Sequence, residues 1–329
     1  MLHERDMTNV LSGTVEQFGF LLVPNFALMS FAAATEPLRA ANLLAGCELY
    51  RVAIFSADGE PVMASSGLAV PCQPLEDADL HILFVCAGGG PDDWRHPQIL
   101  PPLRRLARRG VRLGGISGGP FLLAAAGLLS GRDFTIHWEH AAALIEAFPD
   151  LAPRPARFVL DGDRITCGGG IAPLDMMHAL IAERLGSDFA RRVSDWYLHA
   201  AVSEPGDPQR AAAAERHGTH HPGLLAALAA MEATIETPLP RAAIARAAGV
   251  SVRHLDRLFA DQLGTTWGAA YRQLRLAHAG RLLRQSPLSL SQIAFATGFS
   301  SPSHFSRAFR QAFGFPPGVW RARGQTQVI

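Results

Sequence analysis

The chain has 329 residues, 48% of them apolar, and a formal net charge of +1. That length exceeds one ordinary core and implies about two folded domains. No secretory leader or membrane-length apolar run is apparent, so a cytoplasmic protein without a membrane partner is expected, and four scattered cysteines at 47, 72, 86 and 167, none in a C-x-x-C pair, give little support to a disulfide or zinc framework.

Residues 1–15 read as a tail, and the chain then alternates. Short apolar runs at 18–23, 50–56 and 81–86 predict strands, and 26–44 carries a helical period between the first two. An amphipathic helix is expected over 102–109, a strand over 112–116 and a helix over 120–129. The segments 158–161 and 164–167 flank Asp161-Gly162-Asp163 as a hairpin, and 174–185 is helical. Strands alternating with helices predict an α/β domain over 16–202 with a largely parallel sheet covered on both faces. Ligands in such sheets sit beyond the carboxyl ends of the strands, where both Gly88–Gly90 and Ser117 fall.

Ser117 lies in G-x-S-x-G, residues 115–119, the spacing of a nucleophile elbow in which small neighbours let a strand turn abruptly into a helix. Gly and Ser also populate ordinary tight turns, so the motif alone leaves Ser117 open as a nucleophile, a ligand contact or a structural residue. Residues 203–223, SEPGDPQRAAAAERHGTHHPG, read as a linker, with His217, His220 and His221 as a solvated cluster rather than a metal site. His137 and His140 in HWEH lack metal-binding spacing, and neither a metal nor a cofactor is expected.

The near-neutral total conceals a separation of charge. From Leu224 onward 12 arginines face four carboxylates, a net +8, while the preceding residues carry −7. Every one of the 30 basic residues is arginine, which suits bidentate contacts to guanine or phosphate but also fits a composition bias across a proteome. The basic region nearly repeats itself: IARAAGVSVRHLDRLFADQLG (244–264) aligns with IAFATGFSSPSHFSRAFRQAFG (293–314) with one inserted residue, pairing Gly249 with Gly298, Ser251 with Ser300, His254 with His304 and Arg257 with Arg307. A short helix, a glycine turn and a longer helix, twice over, predict two helix-turn-helix motifs in an all-α domain over 224–323. Residues 269–283 would form the rigid spacer between them.

The stretch GFSSPSHFSRAFRQAFGFPPGVWR (298–321) resembles the signature of the AraC/XylS family of transcription regulators. That resemblance implies double-stranded DNA as partner and recognition helices over 251–263 and 301–313. Arg253, Asp256 and Arg257, then Ser303, Ser306 and Arg307, would face base edges, with Arg310 and Arg284 nearer phosphate.

The first part resembles the glutamine-amidotransferase-like (PfpI) domain that precedes AraC-type domains in GlxA-like regulators. The likeness rests on FGFLLVPNF (18–26), EPLRAAN (36–42), GGISGGPFLLAAAGLL (114–129), TIHW (135–138) and CGGGIAPLDMM (167–177). It implies a flavodoxin-like sandwich, a homodimer formed through the sensor, and a small zwitterionic effector of the arginine, carnitine or glycine betaine kind. Enzymes of that superfamily place cysteine at the elbow, a histidine shortly after it and an acid at the start of the first helix. Here the elbow holds Ser117, His137 matches the histidine, residues 25–34 contain no carboxylate, and Glu36 comes one or two turns late. A serine hydroxyl is a poor nucleophile without a hydrogen-bonded base. The expected reading is therefore a non-catalytic ligand pocket of Ser117, Gly118, His137, Trp138, Gly89 and Gly90, whose amides receive a carboxylate and whose indole receives a cation. The rival is a serine hydrolase or amidase fused to a DNA-binding module, using Ser117, His137 and an acid such as Asp175.

Overall fold

The computed structural model describes residues 14–75, 79–90, 94 and 97–326, so all of the expected tail except Thr14 and Val15 lies outside the described residues. The chain divides into two compact units between Gln209 and Arg210.

In the first unit, apolar strands buried on both faces assemble a seven-stranded sheet. Its order is β5 (Gln73–Pro74), β2 (Tyr50–Ser56), β1 (Glu16–Leu22), β6 (Ile82–Ala87), β7 (Arg112–Ser117), β9 (Arg164–Cys167) and β8 (Phe158–Asp161). All neighbours are parallel except β8, which runs antiparallel to β9 around the predicted hairpin. The period of two sorts side chains into two cores. Phe18, Phe20, Leu22 and Phe84 face α1 (Leu28–Ala45), α5 (Ala172–Leu185) and α6 (Ser187–Trp196). Leu21, Val23, Leu83 and Val85 face α2 (Leu100–Arg108), α3 (Gly119–Ala125) and α4 (Ala141–Ala147). Two further short strands, β3 (Val62–Met63) and β4 (Ala69–Val70), pair separately. The fold is thus the flavodoxin-like α/β sandwich, with helices on both faces of a mostly parallel sheet.

Two local expectations change. The helix after the elbow ends at Ala125, not 129, because Gly127 takes φ +74° and its amide and that of Leu128 turn back to the carbonyls of Ala124 and Leu123. Residues 203–209, read from the sequence as the start of a linker, pack as part of the first unit: the Arg157 amide donates to Asp207 O at 2.9 Å, and Ala156 bridges Pro208 beside β8. The remaining linker residues include α7 (Ala213–His217), and His221 caps α8 (Pro222–Ala233) by accepting from the Leu224 amide at 3.3 Å. The described cysteines are all free, with Cys86 and Cys167 buried and the Cys167 thiol pushed up to about 12 by burial.

The second unit is helical. α9 (Arg241–Ala247) and α10 (Val252–Leu263) form one helix-turn-helix, α12 (Leu290–Ala296) and α13 (Pro302–Phe313) the other, and α11 (Trp267–Gln285) runs between them. α14 (Pro317–Thr326) closes the unit. Ser251 and Ser301 cap the two longer helices by accepting from the amides of His254 and His304, both at 3.2 Å. The equivalent of Ser251 is therefore Ser301, not Ser300, and the inserted residue belongs to the turn before the cap. Helix α11 holds the segment leading into the first motif and the turn of the second. The Tyr271 hydroxyl donates to Thr234 O at 2.7 Å and accepts from the Leu239 amide, while Arg275 donates to Thr297 O at 2.7 Å and lies 4.3 Å from the Phe299 ring centre.

On the same helix, burial and the adjacent Arg281 depress the His278 pKa to about 4, and Arg281 donates to His278 Nδ1 at 3.1 Å. An unfolded histidine titrates near ~6.5. Between those values the folded chain binds fewer protons than the unfolded one, so the contribution is complete above the upper value and is lost as pH falls towards the lower. In urea titrations at pH 7 and pH 4.5, the wild type should lose on the order of 2 kcal/mol more than His278→Gln. Equal losses would reject this account.

Candidate ligand site and nucleic-acid interface

Strand β7 ends at Ser117, beside Ala87 of β6. The backbone there must leave the sheet and enter α3 within one residue, and Ser117 does so at φ +60°, a left-handed conformation uncommon for a residue with a Cβ. Only glycine fits around it. A Cβ on Gly119 would lie 2.0 Å from Val85 O, and one on Gly115 would lie 2.5 Å from the Pro120 nitrogen. The Gly-Gly turn after β9 closes over the serine, so that a Cβ on Gly169, itself at φ +85°, would stand 2.7 Å from Ser117 Cβ. Ser117 is left 8% exposed.

The Ser117 carbonyl accepts from the His137 amide at 3.2 Å, which brings the TIHW loop to the elbow. His137 Nδ1 accepts from the Glu139 amide at 3.3 Å, and burial lowers the imidazole pKa below its ordinary value. A neutral ring accepting at Nδ1 carries its proton on Nε2 and offers a donor there. No hydrogen bond joins the Ser117 hydroxyl to this ring. Trp138 is 36% exposed, with its ring centre 5.5 Å from that of His137. Asp175 does not serve as an acid behind His137: fully buried, it accepts from Arg157 Nη2 at 2.6 Å, pairs with His199 Nε2 at 2.7 Å and accepts the Ser203 amide at 3.0 Å. The Glu36 carboxylate pairs with Arg39 at 2.7 Å and with the Tyr197 hydroxyl at 3.2 Å.

One expectation for a backbone donor is corrected. The Gly118 amide donates to Ala87 O at 2.8 Å, so it is not open to a ligand, and the missing Cβ of Gly118 makes room for the Trp94 indole, whose Cζ2 would lie 2.4 Å away. Trp94 in turn donates to Gly88 O at 2.6 Å, tying the glycine loop to the elbow. Gly89 is exposed at φ +68° and Gly90 is buried. Two surface clefts of about 450 and 430 Å³ lie elsewhere, the first at the amino ends of the strands around Glu16, Ile82 and Arg112, the second along Phe158–Leu160.

In the second unit, Leu255, Leu258 and Phe259 of α10 and Phe305, Ala308 and Phe309 of α13 are buried. The opposite faces carry Arg253 and Arg257 in the first helix, and Ser303, Arg307 and Arg310 in the second, all exposed. Ser306 is half-buried. Asp256 shares the outer face but is held in an ion pair by Arg241 of α9. Arg284 sits 5.9 Å from the Trp320 ring centre, so an aromatic face within the unit steadies its guanidinium.

Two family models divide the chain at the same place. The DJ-1/PfpI family matches residues 20–183 and a helix-turn-helix domain matches 244–323. Over 95% of its length the chain is 64% identical to the HTH-type transcriptional regulator GlxA of Rhizobium meliloti, 97% of which it covers. It is 42% identical to the HTH-type transcriptional regulator CdhR of Pseudomonas aeruginosa over 93% of this chain and 92% of that one. A crystal structure of an AraC family transcriptional regulator from Pseudomonas putida matches 55% of the chain and 99% of its own, at 30% identity and a TM-score of 0.51. The chain belongs to the AraC family of transcription regulators. DNA is therefore its partner, and among the described residues no helix is long and apolar enough to cross a membrane.

Three residues that shape this regulator's elbow are invisible in the sequence pattern. Trp94 fills the space beside Gly118, Asn25 stands at φ +65° with its carbonyl 2.1 Å from a Cβ built on Gly88, and Gln209 bonds to the TIHW loop. Only the run of glycines, at 88–90, 114–119 and 168–170, signalled that backbones approach closely here. Gly119→Ala should lower the unfolding free energy of the first unit by at least ~2 kcal/mol through forced overpacking. Ser117→Ala, which removes only a hydroxyl, should cost less than ~1 kcal/mol. Denaturant titration followed by circular dichroism distinguishes them, and an undiminished Gly119→Ala variant would refute the close packing.

Proposed function

We propose that this regulator senses a small zwitterion in a non-catalytic pocket at the elbow and alters its hold on DNA in response, as a homodimer in the cytoplasm. The observation that carries this reading is the elbow itself: a serine in left-handed backbone, with no hydrogen bond to the neighbouring histidine. Without a base the hydroxyl is a weak nucleophile but a good hydrogen-bond partner. His137 Nε2–H is suited to donate to a carboxylate, and the exposed Trp138 indole offers a face to a quaternary or guanidinium cation. Ser117, His137, Trp138 and the loop at Gly89 and Gly90 would then line the site, with Gly118 contributing shape alone. A ligand can act only by favouring one state of the protein over another.

Calorimetric titration of the full chain with glycine betaine, carnitine and L-arginine should find one that binds. At a hundredfold excess over its Kd, that compound should stabilise the protein by about 2.7 kcal/mol. Ser117→Ala should weaken its binding, and ester and amide substrates should show no serine-dependent turnover. Failure of all three ligands would reject the zwitterion, and turnover lost in Ser117→Ala would favour the hydrolase.

For DNA, Arg253 and Arg257 on the first recognition helix and Ser303, Ser306, Arg307 and Arg310 on the second would make the contacts. The exposure of all of these but the half-buried Ser306, opposite the buried faces, supports this. Asp256 would accept from a cytosine amino group, its charge offset by Arg241, and Arg284 would approach phosphate. Arg307→Ala should cost ~1–3 kcal/mol on a duplex selected from a random pool and relax the preference at one base position. An unchanged selected motif and affinity would reject the contact.

A further inference from the structure

Gln209 is the last residue of the first unit, and its side chain is inserted into the elbow's surroundings rather than into solvent. Its Oε1 accepts from the Trp138 amide at 2.8 Å. Its Nε2 faces three acceptors, Thr135 Oγ1 and Ile136 O at 2.9 Å and Ala156 O at 2.7 Å, so its two protons are shared among them. The opposite amide orientation would set oxygen against two carbonyls, so only one orientation satisfies the network. On the other side the carboxamide lies where a Cβ on Gly168 would come within 2.6 Å. The Gly168–Gly169 turn is therefore held between Gln209 and Ser117, and the His137 amide bonds back to the Ser117 carbonyl. A second lock fastens the same stretch of chain upstream: Asp175, at the start of α5, holds His199 and the Ser203 amide, with Arg157 balancing its charge.

We propose that residues 199–209 form a strap that reports the state of the elbow to the chain leaving the sensor, with Gln209 as the positioning residue that couples them. This rests on the elbow being the ligand site. A ligand on Ser117 and His137 acts on the two elements that grip Gln209, the Gly168–Gly169 turn and the Thr135–Trp138 loop, and Arg210 follows directly in the next unit. The Asp175 lock fixes the strap's beginning, so a change at Gln209 is delivered downstream.

Hydrogen exchange read by mass spectrometry on the full chain tests this. Without ligand, Gln209→Ala should speed exchange at least tenfold both in the peptide holding the Trp138 amide and in that holding the Arg157 amide, which bonds to Asp207 of the strap. Peptides of β6 and β7 should be unchanged. Gln209→Met, which keeps the volume, should behave as Gln209→Ala does. Acceleration at only one of the two places, or protection restored by methionine, overturns the coupling whatever the ligand. With saturating glycine betaine, the wild type should gain protection at Arg157 as well as at the elbow, and Gln209→Ala at the elbow alone. Binding without any change at Arg157 in the wild type overturns the reporting role. Absence of binding overturns the betaine reading of the site and leaves the ligand-free comparison to decide the strap.

Discussion

The architecture of the first unit depends on how closely three backbones approach at the carboxyl end of β7. Ser117 leaves the sheet in a left-handed conformation, Gly119 passes under the Val85 carbonyl, and the turn at Gly169 closes on the serine Cβ. A left-handed residue with a side chain costs of order 1–3 kcal/mol, and it persists only where packing leaves the chain no alternative. The surrounding glycines supply that packing by letting main chain touch main chain. Once those contacts are made, the positions of His137 and the 88–90 loop follow, because each is tied to the elbow or to its immediate neighbours by a backbone hydrogen bond or by Trp94, and the Gln209 side chain holds the Trp138 amide.

The same geometry defines the chemistry of the site. A thiol at such an elbow would bring its own reactivity, whereas a hydroxyl depends on a base. His137, neutral and accepting at Nδ1, presents a proton where a base would need a lone pair. Asp175, the acid of the rival hydrolase reading, is enclosed by Arg157 and His199. A buried carboxylate is tolerable only when its charge is paired and its remaining lone pairs are bonded, and here both conditions are met by residues that anchor the exit chain. Asp175 therefore holds His199 and the Ser203 amide and is not available to His137.

In the second unit the balance of forces differs. The arginines of its recognition helices face outward, its interior is mainly aliphatic and aromatic, and specificity of shape comes from caps and from α11. Tyr271 and Arg275 lie four residues apart, so they occupy one side of that helix a turn apart, Tyr271 bonding to the segment that leads into the first helix-turn-helix and Arg275 to the turn of the second. The two motifs are consequently alike in backbone and unlike in electrostatics. The first carries Asp256 and its partner Arg241 on the outer face, whereas the second places Ser306 at the corresponding position.

The amino-acid order alone determined six strands of the first unit's sheet and the helices α1, α2, α3 and α5, the elbow at 115–119, the concentration of arginine beyond residue 224 and the duplicated reader, while β3, β4, β5, α4 and α6 were not expected from it. Each of the former rests on local periodicity, on turn-forming residues or on summed charge, which operate over short stretches of chain. Tertiary structure decided the rest. That Gly118 uses its amide on Ala87, that Asp175 belongs to His199, and that Gln209, set in a stretch rich in proline and glycine, is a hydrogen-bonded partner of a loop some seventy residues earlier depends on contacts between segments remote in sequence. A hydrogen bond of that kind leaves no period in the chain, because its donor and acceptor are brought together only by the packing of the sheet and helices around them.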